Sequence, residues 1–250
     1  MDQQELSRRQ FGAQADAYLT SSVHAAGADL ERLQSLARDL GAVRALDLGC
    51  GAGHATFALA RGGARVTAYD PSPEMLAVVS RESAARGHEV CTEMGPAERL
   101  PFADASFDLV VTRFSAHHWA NVPQALGECA RVMTPCARLV VIDVICPEDR
   151  LLDTPLQVIE FLRDGSHVRN YRESEWSSML TGAGFSAPST TLWKLALEFK
   201  SWVARIGTPP ARIAALNTVF SSLSGEMRDY LHIAPDGSFC IEAAWMETHV

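Results

Sequence analysis

Three glycines and one aspartate lie together at the end of an apolar run, where they could bind a ligand. In "ALDLGCGAGH" the glycines are Gly49, Gly51 and Gly53, and Asp47 lies two residues before the first of them. Glycine lets backbone N–H groups approach a ligand, and the N-terminus of the helix that follows favours a carboxylate. Asp47 would repel a pyrophosphate but could hold an ammonium group. The turn therefore fits an amino acid.

A second acidic residue lies where a larger ligand with an amino-acid group could continue. S-adenosylmethionine is such a ligand, because it joins an amino-acid group to a ribose and an adenine. Asp70 ends the next apolar run, "VTAYD", 17 residues after Gly53. A carboxylate at the end of the second strand of such a sheet accepts both ribose hydroxyls. Glu98, or the backbone beside it, is expected to meet the adenine amino group, with Pro71 and Met75 packed on the adenine faces.

Short apolar runs alternate with amphipathic stretches, which predicts strands that alternate with helices around a parallel sheet. The predicted strands are "VRALDL", "RVTAYD", "HEVCTEMG", "FDLVVTRF" and "ARLVVIDV". The predicted helices between them are "HATFALARG", "PSPEMLAVVSRESAARG" and "VPQALGECARVM". The fold class is α/β, a doubly wound, Rossmann-like and mostly parallel sheet with a final antiparallel strand.

The chain as a whole is predicted to form a single domain, 1–250, in three parts. Residues 1–40 form an N-terminal helical lid, and 41–145 form the cofactor-binding core. Residues 146–250 supply the remaining strands and a helical insertion that covers the pocket. Within this last part, "DGSHVRNY" either lines a pocket for the second substrate or forms a helix–loop junction.

Composition narrows the possible partners. The chain has 22 Lys and Arg against 30 Asp and Glu, a net charge of -8, and its basic residues cluster only in pairs. Nucleic acid is therefore not an expected partner. No apolar run reaches the ~20 residues that span a bilayer, and the polar start shows no signal peptide. Six scattered cysteines without a CxxC pair predict a reduced, cytoplasmic protein with buried thiols and no metal site.

Four motifs in order resemble the class I S-adenosylmethionine-dependent methyltransferases, in the small-molecule branch that includes the ubiquinone/menaquinone C-methyltransferases. They are "LDLGCGAGH", "AYDPSPEML", "AERLPFADASFDLVVTRFSAHHW" and "ECARVMTPCARLVVIDV", and "FGAQADAYLTSSVH" matches the lead-in helix. The chain departs from the family at "TPCARL", where a Pro-Gly-Gly turn is usual, so this turn is expected to be rebuilt. Ala97 and Arg113, inside these motifs, are further predicted cofactor contacts.

Other side chains are candidates for the reaction itself. "FSAHHW" follows the fourth strand, and only one of the adjacent His117 and His118 should face the pocket. The family analogy favours His118 as the group that accepts a proton from a hydroxyl, phenol or enol. Alternatively, both histidines orient the loop or line the cofactor pocket. Tyr18 could reach the cationic sulfur, with His24 as a second lid candidate, or Tyr18 is an ordinary core or surface residue.

The leading hypothesis is methyl transfer from S-adenosylmethionine to a small molecule, by O- or C-methylation of an aromatic or quinone-like acceptor. In-line placement of the acceptor supplies much of the rate of such a transfer. One alternative is a protein that binds the cofactor without catalysis. Another is an NAD-dependent oxidoreductase, but its G-x-G-x-x-G pattern fails at His54, and no Tyr-x-x-x-Lys pair is evident. Neither the acceptor nor the oligomeric state can be deduced from the sequence.

Overall fold

The computed structural model describes residues 2–12 and 27–250, and in that part of the chain eight strands form one sheet. The strands are β1 Arg44–Leu48, β2 Arg65–Asp70, β3 Val90–Met94, β4 Phe107–Arg113, β5 Met133–Cys146, β6 Tyr171–Arg172, β7 Ser189–Glu198 and β8 Ser238–His249. Their order is β3-β2-β1-β4-β5-β8-β7, with β6 paired to β5 outside this path. The first five strands are mutually parallel, and β8 is antiparallel to both of its neighbours. The predicted fold class is confirmed.

Helices cover both faces of the sheet. They are α1 Gln3–Gly12, α2 Ala28–Leu40, α3 His54–Arg61, α4 Pro73–Ala85, α5 Val122–Val132, α6 Arg150–Arg163, α7 Glu173–Gly182, α8 Phe199–Arg205, α9 Pro210–Ser222 and α10 Gly225–Tyr230, with a 3₁₀ turn at Ala116–His118. Alternate residues of β1 separate the two cores: Leu46 packs with α5 and α7, whereas Ala45 packs with α2 and α3. This alternation follows from the two-residue period of a strand. The sheet is therefore buried on both sides, as its continuous apolar runs predicted.

Helix α6 was not predicted from the sequence. Pro155 lies inside it, and a proline there cannot donate the usual backbone hydrogen bond to the carbonyl four residues earlier. The carboxylate of Asp149 caps the helix by accepting a hydrogen bond of 2.9 Å from the backbone N–H of Leu151. Leu156 and Ile159 are buried in a third core with the insertion helices α8–α10. Tertiary packing of this apolar face stabilises a helix that its proline disfavours.

The rebuilt turn lies at the start of β5. Along β4 the pairing passes from Phe107 to Leu109, while along β5 it passes from Met133 to Arg138, so the extra residues bulge out of the ladder. Cys136, where the family usually has glycine, adopts a φ of 66°. This left-handed conformation is costly for a residue that has a Cβ.

The six cysteines do not share one environment, which corrects the expectation of buried thiols. Cys50, Cys129 and Cys146 are buried, but Cys91 and Cys136 are exposed to solvent. Within residues 2–12 and 27–250, no helix combines the length and apolarity that crossing a membrane requires.

Candidate functional site

A cavity opens at the carboxyl ends of β1, β2 and β4, the edge at which parallel sheets bind ligands. Four segments that follow these strands and β3 line it together with α1. The lining includes Gln4, Ser7, Arg8, Phe11, Asp47, Leu48, Gly49, Cys50, Gly51, Ala52, His54, Ala55, Tyr69, Asp70, Pro71, Ser72, Met75, Gly95, Pro96, Ala97, Glu98, Arg113, Phe114, Ser115, His118, Trp119 and Ala120. Most of the residues predicted to bind the cofactor thus lie around one space.

The glycines of the turn have different tasks. Gly51 has a φ of 50° with open space beside its Cα, and it lines the cavity. Gly53 has a φ of 89° and is not among the lining residues of the cavity. A Cβ on Gly53 would lie 2.9 Å from the side chains of both Phe57 and Val79. Gly53 therefore packs closely against Phe57 and Val79, and its contact with the cofactor stays a prediction.

Asp70 is held in the cavity wall by the backbone. Its two carboxylate oxygens accept hydrogen bonds of 2.9 Å from the N–H groups of Gly51 and Ser72. Burial raises the pKa of Asp70 to about 6, although both hydrogen bonds act in the opposite direction. Each oxygen retains a lone pair for a ligand hydroxyl.

Asp47 carries an unsatisfied oxygen. Its side chain is fully buried, and Oδ2 accepts a hydrogen bond of 2.6 Å from the hydroxyl of Thr56. The other oxygen, Oδ1, has no partner in the described chain, and burial raises the pKa of Asp47 to about 6. A buried acceptor without a donor costs free energy. An ammonium group of a ligand would supply both the missing donor and the compensating charge.

The segment after β3 completes the predicted adenine side. Tyr69 anchors this segment, because its hydroxyl donates to the carbonyl of Pro96 or Arg99 at 3.2 and 3.1 Å. The carboxylate of Glu98 accepts a hydrogen bond from the backbone N–H of Asn121 at 3.1 Å. Three residues predicted to lie against adenine line the cavity, namely Pro71, Met75 and Glu98, and so does Ala97, a further predicted cofactor contact.

Arg113 also lines the cavity, at the end of β4. Its Nε lies 2.6 Å from the carboxylate of Asp29 on α2, and both side chains are largely buried. This ion pair fixes the direction of the guanidinium.

The two adjacent histidines face different surroundings. His118 lines the cavity, whereas His117 is not among its lining residues. The Nδ1 atom of His117 lies 2.6 Å from the carboxylate of Asp143 on β5, which raises the pKa of His117 against the effect of burial. The ring of Phe11 contacts His118 edge-on, with ring centroids 4.8 Å apart. Of the two histidines, His118 is the one that lines the cavity, and a catalytic role for either stays a prediction.

Sequence reasoning predicted a helical lid over residues 1–40 but not the four residues that α1 brings to the cavity: Gln4, Ser7, Arg8 and Phe11. The lid candidates Tyr18 and His24 lie outside the described residues. The insertion helices α8–α10 are absent from the described lining. They are joined to α1 at the end of α8, where the side-chain amide of Gln10 donates a hydrogen bond of 2.7 Å to the carbonyl of Ile206.

Ser115 and Trp119 also line the cavity, and both lie within the quoted motif "FSAHHW". Attention to the whole motif, rather than to its histidines, would have found them. In the described segments no group of three His, Cys, Asp or Glu residues is arranged to hold a metal ion.

Comparisons with known proteins identify the family. A family model described as a methyltransferase domain matches residues 46–141. The methyltransferase YcgJ of Bacillus subtilis is 35% identical over 239 residues, which cover 93% of this chain and 94% of YcgJ. The chain belongs to this methyltransferase family. The predicted resemblance to class I S-adenosylmethionine-dependent methyltransferases is confirmed, and the oxidoreductase alternative is not supported.

Other matches agree. YafE of Escherichia coli is 42% identical over 198 residues, covering 79% of this chain and 96% of YafE. The crystal structure of YcgJ superimposes with a TM-score of 0.81 at 33% identity, over 87% of this chain and 97% of that chain. The demethylmenaquinone methyltransferase of Thermus thermophilus is 40% identical over 122 residues, 47% of this chain and 56% of that protein.

Proposed function

We propose that this methyltransferase carries out O- or C-methylation of a small aromatic or quinone-like molecule, with S-adenosylmethionine as the methyl donor. The observation that carries the proposal is the unpartnered carboxylate oxygen of Asp47, which lies beside the glycine turn in the same cavity as Asp70. This arrangement suits a ligand with an ammonium group at one end and neighbouring hydroxyls further along.

The residues of the cavity divide the cofactor among them. Asp47 would hold the ammonium group, and the backbone at the start of α3 would hold the carboxylate. Asp70 would accept the ribose hydroxyls, while Met75 and Pro71 would pack against the adenine. When bound, the cofactor supplies a methyl group on a positively charged sulfur.

The proposed class of methyl acceptor is inferred from the part of the cavity around His118. Phe11, Phe114 and Trp119 line the same cavity as His118 and offer apolar and aromatic surface, and the ring of Phe11 contacts His118 directly. The match to the Thermus demethylmenaquinone methyltransferase covers about half of this chain and supports a quinol-like acceptor. A phenol or enol hydroxyl would lose its proton to His118 as its oxygen or ring carbon is methylated.

The test is turnover of S-adenosylmethionine that carries a labelled methyl group. The purified protein is incubated with a panel of phenols, catechols and short-chain quinols, and release of S-adenosylhomocysteine is measured together with label in the organic product. His118→Gln should lower turnover and retain S-adenosylhomocysteine affinity, whereas the control His88→Gln, on the loop after α4, should change neither. If no panel member or cell extract accepts label although the cofactor binds, the catalytic proposal fails.

Two broader expectations remain proposals. The division into a lid at 1–40, a core at 41–145 and an acceptor region at 146–250 is supported for the lid by the residues that α1 brings to the cavity. A cytoplasmic location is proposed from the cysteine pattern of the sequence.

A further inference from the structure

Behind His118 lies a segment to which the proposed function assigns no task. Ser166, in the loop between α6 and β6, is fully buried against the histidine. The carbonyl oxygen of Ser166 lies 3.1 Å from Nδ1 of His118. Nδ1 also lies 3.3 Å from the hydroxyl oxygen of Ser166, which donates its own hydrogen to Asp164. Since both oxygens therefore accept here, Nδ1 must carry the proton. The neutral imidazole therefore has its lone pair on Nε2.

The carboxylate of Asp164 lies between Ser166 and the Nε2 side of His118. Its Oδ1 accepts hydrogen bonds from the backbone N–H and the hydroxyl of Ser166, at 2.8 and 2.7 Å. Its Oδ2 is buried, has no hydrogen-bond partner in the described chain, and lies 3.9 Å from Nε2 of His118. The carboxylate thus fixes the segment that holds Nδ1, and it places an unused negative charge beside Nε2.

We propose that Asp164 is a positioning residue for His118, which deepens the proposed function and rests on it. Through Ser166 it holds the imidazole in the tautomer that can accept a proton. As the acceptor is methylated, its O–H bond breaks, the electron pair stays on the acceptor oxygen, and the proton forms a bond to Nε2. The carboxylate of Asp164, with Oδ2 3.9 Å from Nε2, then supplies a counter-charge for the buried imidazolium.

The charges around His118 determine which way its pKa should change when Asp164 is substituted. Burial and the positive charge of His117 lower the pKa of His118 to about 4, while the carboxylates of Asp164 and Asp143 act to raise it. Removal of the charge at 164 must therefore lower this pKa further. At neutral pH the ring stays neutral, as a proton acceptor requires.

Two substitutions separate charge from geometry. Asp164→Asn keeps an oxygen for Ser166 and removes the charge, so the pKa of His118 should fall by about one unit while the tautomer is retained. Asp164→Ala removes the oxygen that holds Ser166 as well as the charge, so His118 should populate both neutral tautomers at pH 7. The control is Asp149→Asn, which removes a carboxylate at the N-cap of α6 and should change neither property.

The measurement is nitrogen NMR of histidine-labelled full-length protein with S-adenosylhomocysteine bound, and His118→Gln assigns the signals. An unchanged pKa in Asp164→Asn, or one retained Nδ1–H tautomer in Asp164→Ala, would overturn the inference. If the variants do not fold, the carboxyl carbon of Asp164 in the unmodified protein should respond at the titration midpoint of His118, and no response overturns it. Because these readouts need no methyl acceptor, failure of turnover leaves them interpretable.

Once a methyl acceptor has been identified, steady-state kinetics provide a second test. Asp164→Asn should lower kcat about tenfold with the KM for the acceptor retained, and it should have no additional effect in a His118→Gln background. If Asp164 had a purely structural role, Asp164→Asn would lower kcat by the same factor in the His118→Gln background, which would contradict the inference.

Discussion

The two walls of the cavity satisfy their polar groups in different ways. On the cofactor wall, Asp70 is bound by backbone N–H groups, and Asp47 leaves one oxygen unused. On the wall around His118, where we propose that the acceptor binds, a side chain is held by a distant loop: Nδ1 of His118 contacts the carbonyl and the hydroxyl of Ser166, 48 residues away. Backbone donors suit one constant ligand, because the N–H groups that hold Asp70 do not depend on the side chains of Gly51 and Ser72. A wall held by contacts with a distant loop can change with the acceptor.

The largest expected effect on cofactor binding comes from a substitution of Asp70. Asp70→Ala should weaken binding of S-adenosylhomocysteine at least tenfold, about 1.4 kcal/mol or more, because two charge-assisted hydrogen bonds to the ribose are lost. Calorimetric titration measures it. The matched control is Asp108→Ala in β4, whose carboxylate binds Arg44 away from the cavity. Equal affinity in Asp70→Ala and the unmodified protein would remove Asp70 from the site.

A pair of glycine variants separates the stability of this wall from its binding. Gly53→Ala should lower the free energy of unfolding by about 2 kcal/mol or more, since it adds a clash with Phe57 and Val79 to the strain of its φ. Gly51→Ala should cost about 1 kcal/mol, from backbone strain alone. Urea unfolding compares them. A larger loss in Gly51→Ala would contradict the packing role of Gly53.

The third prediction uses pH to compare the walls. The pKa values of Asp47 and Asp70 are about 6, so lowering the pH through 6 should weaken S-adenosylhomocysteine binding by up to about tenfold per unit and per group. Asp47→Asn should make this dependence shallower, whereas Asp164→Asn should leave it unchanged. Calorimetry over a pH series measures the slopes. An equal slope in Asp47→Asn would exclude Asp47 as the ammonium site.

The raised pKa values of Asp47 and Asp70 also determine the direction in which the free energy of unfolding changes with pH. Between the unfolded pKa of an aspartate and about 6, the folded ligand-free protein binds more protons than the unfolded chain. The stability that these two groups contribute is therefore present at low pH and is lost as the pH rises through 6. Urea unfolding of Asp47→Asn should show a smaller loss over that window.

The smallest effect lies outside both walls. Cys136→Gly should raise the free energy of unfolding by about 0.5 kcal/mol, because relief of a strained φ of 66° exceeds the added entropy of the unfolded chain. Binding of S-adenosylhomocysteine should not change. Thermal unfolding measures the gain, and a loss of stability would show that the Cys136 side chain contributes contacts of its own.

The cofactor wall could be predicted because its groups follow strands in short motifs. The end of a parallel strand places the next few residues at one edge of the sheet, so the positions of Asp47 and Asp70 follow from the order of the apolar runs. Helix α6 could not be predicted in this way, because Pro155 conceals its period. The task of Gly53 depended on the distance to Phe57 and Val79, which no local pattern contains.

By itself, the sequence determined the alternation of strands and helices, the cofactor edge and the family, since hydrophobic period and glycine geometry act over a few residues. Only the tertiary structure decided which histidine faces the cavity, and it did so by pairing His117 with Asp143. It also joined Asp164 and Ser166 to His118 and brought α1 over the cavity. Contacts of this kind join residues far apart in the chain, and a buried polar group finds its partner only when the whole chain has packed.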